Sequence, residues 1–133
     1  MRVEGRCHCG EIRYEADVDP DRVAICHCTD CQMLTGSAYR ATVPASGKSF
    51  VLRSGQPKTY VKTAESGTQR THAFCPNCGS PVYSAATSDP QTYSLRVGCL
   101  RQRSALIPTK QQWCQSALAW AMDLSGIRQV YRQ

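Results

Sequence analysis

The clearest structural signal along the chain is the alternation of apolar and polar residues. It runs through residues 12–18 and again through 93–99, where Tyr93, Leu95, Val97 and Cys99 share one side. A period of two predicts half-buried β-strands. Shorter stretches that predict further strands lie at 23–25, 39–43, 50–52, 59–61, 71–74 and 82–84.

The segments between these strands are short and rich in Gly and Pro, as in antiparallel β proteins. One helical turn is predicted over 29–34, with Thr29 as its cap and Gly36 as its end. The strand at 39–43 is expected to stop at Pro44, and the strands at 50–52 and 59–61 to lie across the turn at 54–57. With no linker and no internal repeat, we expect a single, mainly β domain over residues 1–133.

Nine cysteines in 133 residues change this picture from a plain β domain to a metal-binding one. Seven of them fall into closely spaced motifs, namely Cys7-x-Cys9, Cys26-x-Cys28-x-x-Cys31 and Cys75-x-x-Cys78. Short turns of this kind aim sulfurs at one tetrahedral metal ion, whereas a disulfide between residues two apart is strained. The spacing therefore favours zinc over disulfides. Because zinc-binding thiols must stay reduced, we expect a cytoplasmic protein.

Seven clustered cysteines divide naturally into four and three. Four protein ligands close a structural zinc site, whereas three leave a position for water or substrate. The Cys75–Cys78 and Cys7–Cys9 pairs would make the four-sulfur site, although spacing alone allows other pairings. Two structural sites are the alternative, with His8, His27, His72 or Cys99 as the eighth ligand.

The distribution of charge adds a second candidate class of function. The net charge is +6; residues 1–30 hold seven acidic and four basic side chains, and residues 31–133 hold three acidic and twelve basic ones. A basic region suits an acidic small molecule or a nucleic acid. The basic residues are scattered without a repeated aromatic partner, so nucleic-acid or protein binding by a zinc-stabilised module is the weaker alternative. No stretch approaches the ~20 apolar residues of a membrane helix, and no secretion signal is visible at the N-terminus.

Three cysteine motifs and their flanks resemble one known family. The matching segments are GRCHCGEIRY at 5–14, CHCTDCQ at 26–32 with TGS at 35–37, FCPNCGS at 74–80, and the tail segments at 112–120 and 123–127. Together they are similar to the glutathione-dependent formaldehyde-activating enzyme family, which includes the centromere protein V type of domain. The resemblance implies a small antiparallel β fold of the Mss4-like type, organised around zinc-binding turns.

The resemblance also implies two zinc ions per chain. Cys7, Cys9, Cys75 and Cys78 match the structural ligands, and Cys26, Cys28 and Cys31 match the second, open site. The family's named activity joins formaldehyde to the thiol of glutathione, and in reverse it is a carbon–sulfur lyase. This implies a small thiol or aldehyde as substrate and glutathione as co-substrate.

Polar residues near the triplet are candidates for contacting such a substrate. Gln32, Thr35 and Ser37 follow the triplet directly and are possible hydrogen-bond donors, with Gln32 predicted as a catalytic residue. Ser80 and Ser116 are weaker candidates. The arginines at positions 40, 96, 101 and 103 are candidates for holding a substrate carboxylate, and ordinary solvated side chains are the default interpretation of all four.

Overall fold

The computed structural model describes residues 1–133 and contains ten β-strands and one α-helix. The strands are β1 (Arg2–Arg6), β2 (Arg13–Asp17), β3 (Ala24–Cys26), β4 (Arg40–Ser46), β5 (Val51–Ser54), β6 (Lys58–Thr63), β7 (Gln69–Phe74), β8 (Pro81–Ala86), β9 (Thr92–Arg96) and β10 (Lys110–Gln112). The helix, α1, spans Thr29–Thr35. Short 3-10 turns lie at Pro20–Arg22, Val97–Cys99, Arg103–Ala105, Cys114–Ser116 and Ala119–Ala121. None of these helices has the length and apolar character needed to cross a membrane.

The strands form two sheets. The smaller has the order β1–β2–β5, and the larger has the order β10–β3–β4–β9–β8–β7–β6. Every neighbouring pair is antiparallel except β10 and β3, which run parallel. The predicted mainly antiparallel β fold is therefore confirmed.

The core lies between the two sheets. Buried residues of the smaller sheet, such as Val3 and Tyr14, belong to one apolar cluster with Val43 and Leu95 of the larger sheet. Phe50 stacks on Tyr93 with ring centroids 4.2 Å apart. Alternation along each strand puts these side chains on one face and leaves the other face of the larger sheet polar.

The polar face of the larger sheet is continuous from strand to strand. His72 of β7 pairs with Ser84 of β8, and Ser84 pairs with Ser94 of β9. Arg96 of β9 then pairs with Thr42 of β4. Because directly paired residues point to the same side of a sheet, these side chains share one surface.

Three local predictions differ from the structure. β4 continues through Pro44 to Ser46, because beyond Thr42 it has only β9 as a paired strand and a missing amide donor is tolerated there. β9 ends at Arg96, where the chain turns into a 3-10 segment. The helix cap is Cys28 rather than Thr29, since the Cys28 sulfur accepts a hydrogen bond from the Cys31 N–H.

The predicted strands at 50–52 and 59–61 exist but do not face each other. β5 pairs with β2 in the smaller sheet, whereas β6 pairs with β7 in the larger one. The turn between them therefore carries the chain from one sheet to the other. Turn residues mark a change of direction but do not identify the partner strand.

A close approach between β1 and β2 explains why residue 5 is glycine, and it gives a testable consequence. A Cβ at Gly5 would lie 2.0 Å from Cζ of the buried Tyr14 ring. We expect Gly5→Ala to lower the free energy of unfolding by about 1–3 kcal/mol, as overpacked cores do. Urea denaturation followed by tryptophan fluorescence measures this change. Gly98→Ala is the matched control, because nothing lies within 4 Å of the added methyl group; equal midpoints for the two variants would contradict the prediction.

Candidate functional site

Four cysteine sulfurs meet where the two sheets come together. Cys7 and Cys9 lie in the turn between β1 and β2, and Cys75 and Cys78 lie in the turn between β7 and β8. The four sulfurs all lie within 4.8 Å of one another. The Cys7–Cys9 and Cys9–Cys75 sulfur distances are 3.5 and 3.7 Å, too long for a disulfide but close to the ~3.8 Å expected around a tetrahedral ion with ~2.3 Å metal–sulfur bonds. These donors fit a metal such as zinc.

The turns direct backbone amides at the sulfurs of this four-cysteine cluster. Ile12 N–H donates to the Cys7 sulfur at 3.3 Å, and Cys78 N–H donates to the Cys75 sulfur at 3.5 Å. Gly79 has a φ of 79°, which only glycine adopts easily, and its N–H closes the turn on the Cys75 carbonyl. Such N–H donors stabilise thiolates and orient them toward a shared ion.

Three further cysteine sulfurs converge at the start of α1. Cys26 ends β3, Cys28 caps the helix, and Cys31 lies in its first turn. Their sulfurs also lie within 4.8 Å of one another, and this cluster contains no fourth ligand. Gly36, at a φ of 62°, ends the helix as the sequence predicts. The clustered cysteines are thus brought together in the two groups considered from their spacing, and both groups can hold a metal ion.

The imidazole of His27 is directed elsewhere. Its Nε2 lies 2.8 Å from the Gln111 side-chain oxygen on β10, and its ring packs edge-on against Tyr39. The histidine between two of the cysteines therefore braces β10 against β3.

A small cavity of about 190 Å³ opens beside the three-cysteine cluster. Its floor is the polar face of the larger sheet. Besides the three cysteines, its polar lining consists of Asp30, Arg40, Thr42, Lys62, Arg70, His72, Ser84, Ser94 and Gln112. The cluster therefore borders a concave space large enough for a small molecule.

Positive charge dominates this cavity. Arg40 pairs in register with Cys26, and its charge opposes the effect of burial, which raises the pKa of the Cys31 thiol. Burial, together with repulsion from Arg40, lowers the pKa of Arg96 to about 9. The same two effects lower the pKa of Arg70. Lys62 is offset by an ion pair with Asp30. The arginines have no such carboxylate partner.

Gln32 is predicted to donate a hydrogen bond to a substrate, but its contacts are with the protein itself. Its side-chain amide donates to the carbonyls of His27 at 2.9 Å and Ser116 at 3.0 Å, so both hydrogens are used. Gln32 instead ties α1 to the C-terminal part of the chain. The Thr35 hydroxyl likewise donates to the Cys31 carbonyl at 2.7 Å. Both residues position the three-cysteine cluster rather than offer a hydrogen to a bound molecule.

The remaining candidates lie away from this cavity. Arg101 and Arg103 line a separate, wider cleft beside β1, where Arg101 pairs with Glu4 at 2.8 Å. The Cys99 thiol, a candidate eighth ligand, instead donates to the Pro81 carbonyl. Cys114, the ninth cysteine, is exposed and belongs to neither cluster. Of the four arginines considered for a substrate carboxylate, only Arg40 and Arg96 lie on the polar face.

Comparison with known proteins identifies the family to which the chain belongs. Residues 2–116 match the model of the glutathione-dependent formaldehyde-activating enzyme family. The chain belongs to this family. Its fold, a mainly β structure around cysteine clusters that can bind metal, is accordingly of the Mss4-like type.

Two individual proteins extend the comparison. An uncharacterized lyase of Schizosaccharomyces pombe is 28% identical over 90 residues, which are 68% of this chain and 62% of that protein. The chain thus spans less than two thirds of that relative's length. A crystal structure of a Rhodobacter sphaeroides protein has a TM-score of 0.63 at 22% identity, with 84% of this chain and 100% of that chain covered, and shows the same fold.

His72 gives a titration that tests the character of the cavity. Burial and the neighbouring Arg96 and Arg40 lower its pKa from 6.5 to about 4. The unfolded chain takes up this proton near pH 6.5, whereas the folded chain does so only near pH 4. Protonation of His72 therefore lowers the free energy of unfolding as the pH falls from 6.5 toward 4. We expect the His72 ring resonances in an NMR titration to shift with a midpoint near pH 4, with His72→Asn providing the assignment. A midpoint at or above pH 6 would contradict the burial of His72 next to the charges of Arg96 and Arg40.

Proposed function

We propose that this member of the glutathione-dependent formaldehyde-activating enzyme family is a zinc-dependent carbon–sulfur lyase. Its substrate is a thiol–aldehyde adduct, S-hydroxymethylglutathione or a related small molecule. The observation that carries the proposal is the three-cysteine cluster, whose sulfurs lack a fourth protein ligand and line a cavity. Metal sites that keep an open position in this way are typical of catalytic zinc.

The comparisons support a reaction of this class. The family is described by glutathione-dependent activation of formaldehyde, and the yeast relative is named as a lyase. We infer a structural zinc at Cys7, Cys9, Cys75 and Cys78, and a second zinc at the three-cysteine cluster. A zinc ion held by these three cysteinates would coordinate a thiol directly and so lower the pKa of that thiol.

The reaction itself needs no oxidant or reductant. In the cleavage direction the carbon–sulfur bond breaks, its electron pair goes to sulfur, and the hydroxyl oxygen becomes the aldehyde oxygen as its proton is released. The products are one thiol and one aldehyde. The protein's task is to stabilise charge on sulfur and to bind the oxygen.

The residues around the cavity suit that task. Arg40 lies beside Cys26 and places positive charge close to the cluster sulfurs. His72 lines the same cavity, and its Nδ1 lies 3.2 Å from Arg96 Nη2. Because arginine only donates, Nδ1 is the acceptor and the ring proton is on Nε2. Neutral His72 therefore offers an N–H to a substrate oxygen.

Cysteine variants separate the two clusters by their effect on metal and fold. We expect Cys28→Ser to lose one zinc ion and the carbon–sulfur cleavage activity while the cooperative thermal unfolding persists. Cys75→Ser removes a fully buried member of the four-cysteine cluster, so it is expected to lose cooperative unfolding as well. Exposed Cys114→Ser is the control and keeps both ions. Metal analysis and circular dichroism give the measurements; global unfolding of Cys28→Ser would contradict an open, catalytic cluster.

Native mass spectrometry tests stoichiometry and substrate together. Reduced protein never exposed to a chelator is expected to carry two zinc ions and, with glutathione present, a non-covalent glutathione complex. Cys28→Ser is expected to lose this complex. One zinc ion or none in the wild-type chain would contradict the proposed metal content, whereas two ions without a glutathione complex would redirect the proposal to another thiol.

A further inference from the structure

The cavity beside the three-cysteine cluster carries more positive charge than that cluster needs. Three cysteinates around a divalent ion have one net negative charge. Lys62 is already paired with Asp30. No carboxylate partner is present for the lining residues Arg40 and Arg70, or for Arg96, which contacts the lining residue His72. Two positive charges therefore remain after the cluster is balanced. Arg96 is buried, and Arg40 and Arg70 are half-buried. Cations withdrawn from water without an acidic partner are costly, so the charges around the cavity call for a bound anion.

Hydrogen-bond donors in the same place are also unused. Nη1 of Arg40 and both Nε and Nη1 of Arg96 are buried and make no hydrogen bond in the protein. Arg96 is 6% exposed, and its one side-chain bond is to His72. A buried guanidinium is normally fully bonded, and a planar pair of oxygens is the acceptor that matches its geometry.

The size of the cavity limits the size of the molecule that can carry the anionic group. Its volume of about 190 Å³ is the share of roughly six water molecules and lies below the ~300–1,000 Å³ of pockets for drug-sized ligands. A tripeptide thiol would leave most of its length outside. A molecule of a few carbon atoms fits within.

We propose that this cavity takes a small substrate that carries a carboxylate within two or three bonds of its sulfur-bearing carbon. Arg40 and Arg70 bind this carboxylate. Arg96 is a positioning residue, which acts through its hydrogen bond to His72. This inference rests on the proposed function, because it names the class of thiol–aldehyde adduct that the three-cysteine cluster would cleave. It departs from glutathione and formaldehyde, since glutathione exceeds the cavity and formaldehyde carries no charge.

A pair of thiols that differ only in charge tests the inference. Mercaptoacetate and mercaptoacetamide have the same length, and only the first is an anion at neutral pH. We expect isothermal titration calorimetry with the zinc-loaded protein to show at least about tenfold tighter binding of mercaptoacetate, as for a charge-assisted pair with arginine. Mercaptoacetate is also expected to bind more tightly than glutathione. Equal affinities of the wild-type protein for the two small thiols, or tighter binding of glutathione, would overturn the inference.

Variants identify the residues responsible. Arg70→Gln and Arg40→Gln are expected to reduce the preference for mercaptoacetate over mercaptoacetamide to about twofold or less. Arg101→Gln is the matched control, because this arginine lies in the other cleft and pairs with Glu4. An unchanged preference in both cavity variants, with their zinc content intact, would overturn the assignment of the carboxylate to these arginines.

Metal analysis of the same samples distinguishes this inference from the proposed function. Two zinc ions and cleavage of a glutathione adduct, together with equal affinities for the two small thiols, would leave the proposed function standing and overturn only the carboxylate subsite. A preference for mercaptoacetate that persists in Cys28→Ser would instead support the subsite while showing that it does not depend on the open metal position.

Discussion

The relative position of the two sheets depends on one point, at which four cysteine sulfurs converge. Cys7 and Cys9 reach it from the smaller sheet, and Cys75 and Cys78 reach it from the larger one. Cys7 and Cys75 are fully buried and belong to the same apolar core that joins the sheets. A shared ion here would hold two strand ends at a fixed distance, and the core around them packs in the register that this distance allows.

The larger sheet uses its two faces for different purposes. One face packs the core through residues such as Val43 and Leu95, and the other carries Arg40, Arg96 and His72 beside the three-cysteine cluster. Because strands alternate their side chains, one set of strands can build a dry core and a charged cavity at the same time. The rigid hydrogen-bonded sheet then fixes the distances between charged groups that come from distant parts of the chain.

Much of this architecture could be predicted from the sequence, and the exceptions have physical reasons. Alternation over 12–18 and 93–99 predicted the strands that the structure has as β2 and β9, because burial on one face leaves a period of two. Ligand counting favoured the two cysteine groups, because close spacing already brings the sulfurs of each motif together, but spacing alone left other pairings of the motifs open. The cavity was not predicted: Arg70, His72, Ser84 and Ser94 fill the polar half of alternating strands, where a solvated face has the same pattern. Only the pairing of β7, β8 and β9, a long-range property, makes them neighbours.

β10 illustrates what short polar segments add to the fold. Its three residues have no apolar pattern, yet β10 pairs parallel to β3 and places Gln112 beside Cys26. The His27–Gln111 and Gln32–Ser116 contacts fasten the three-cysteine cluster to this same late segment. During synthesis the cysteines of the triplet leave the ribosome long before β10 does. The cavity can therefore be complete only after residues 110–116 have been synthesised, because Gln112 lines it and Gln111 and Ser116 contact the segment that carries the cluster.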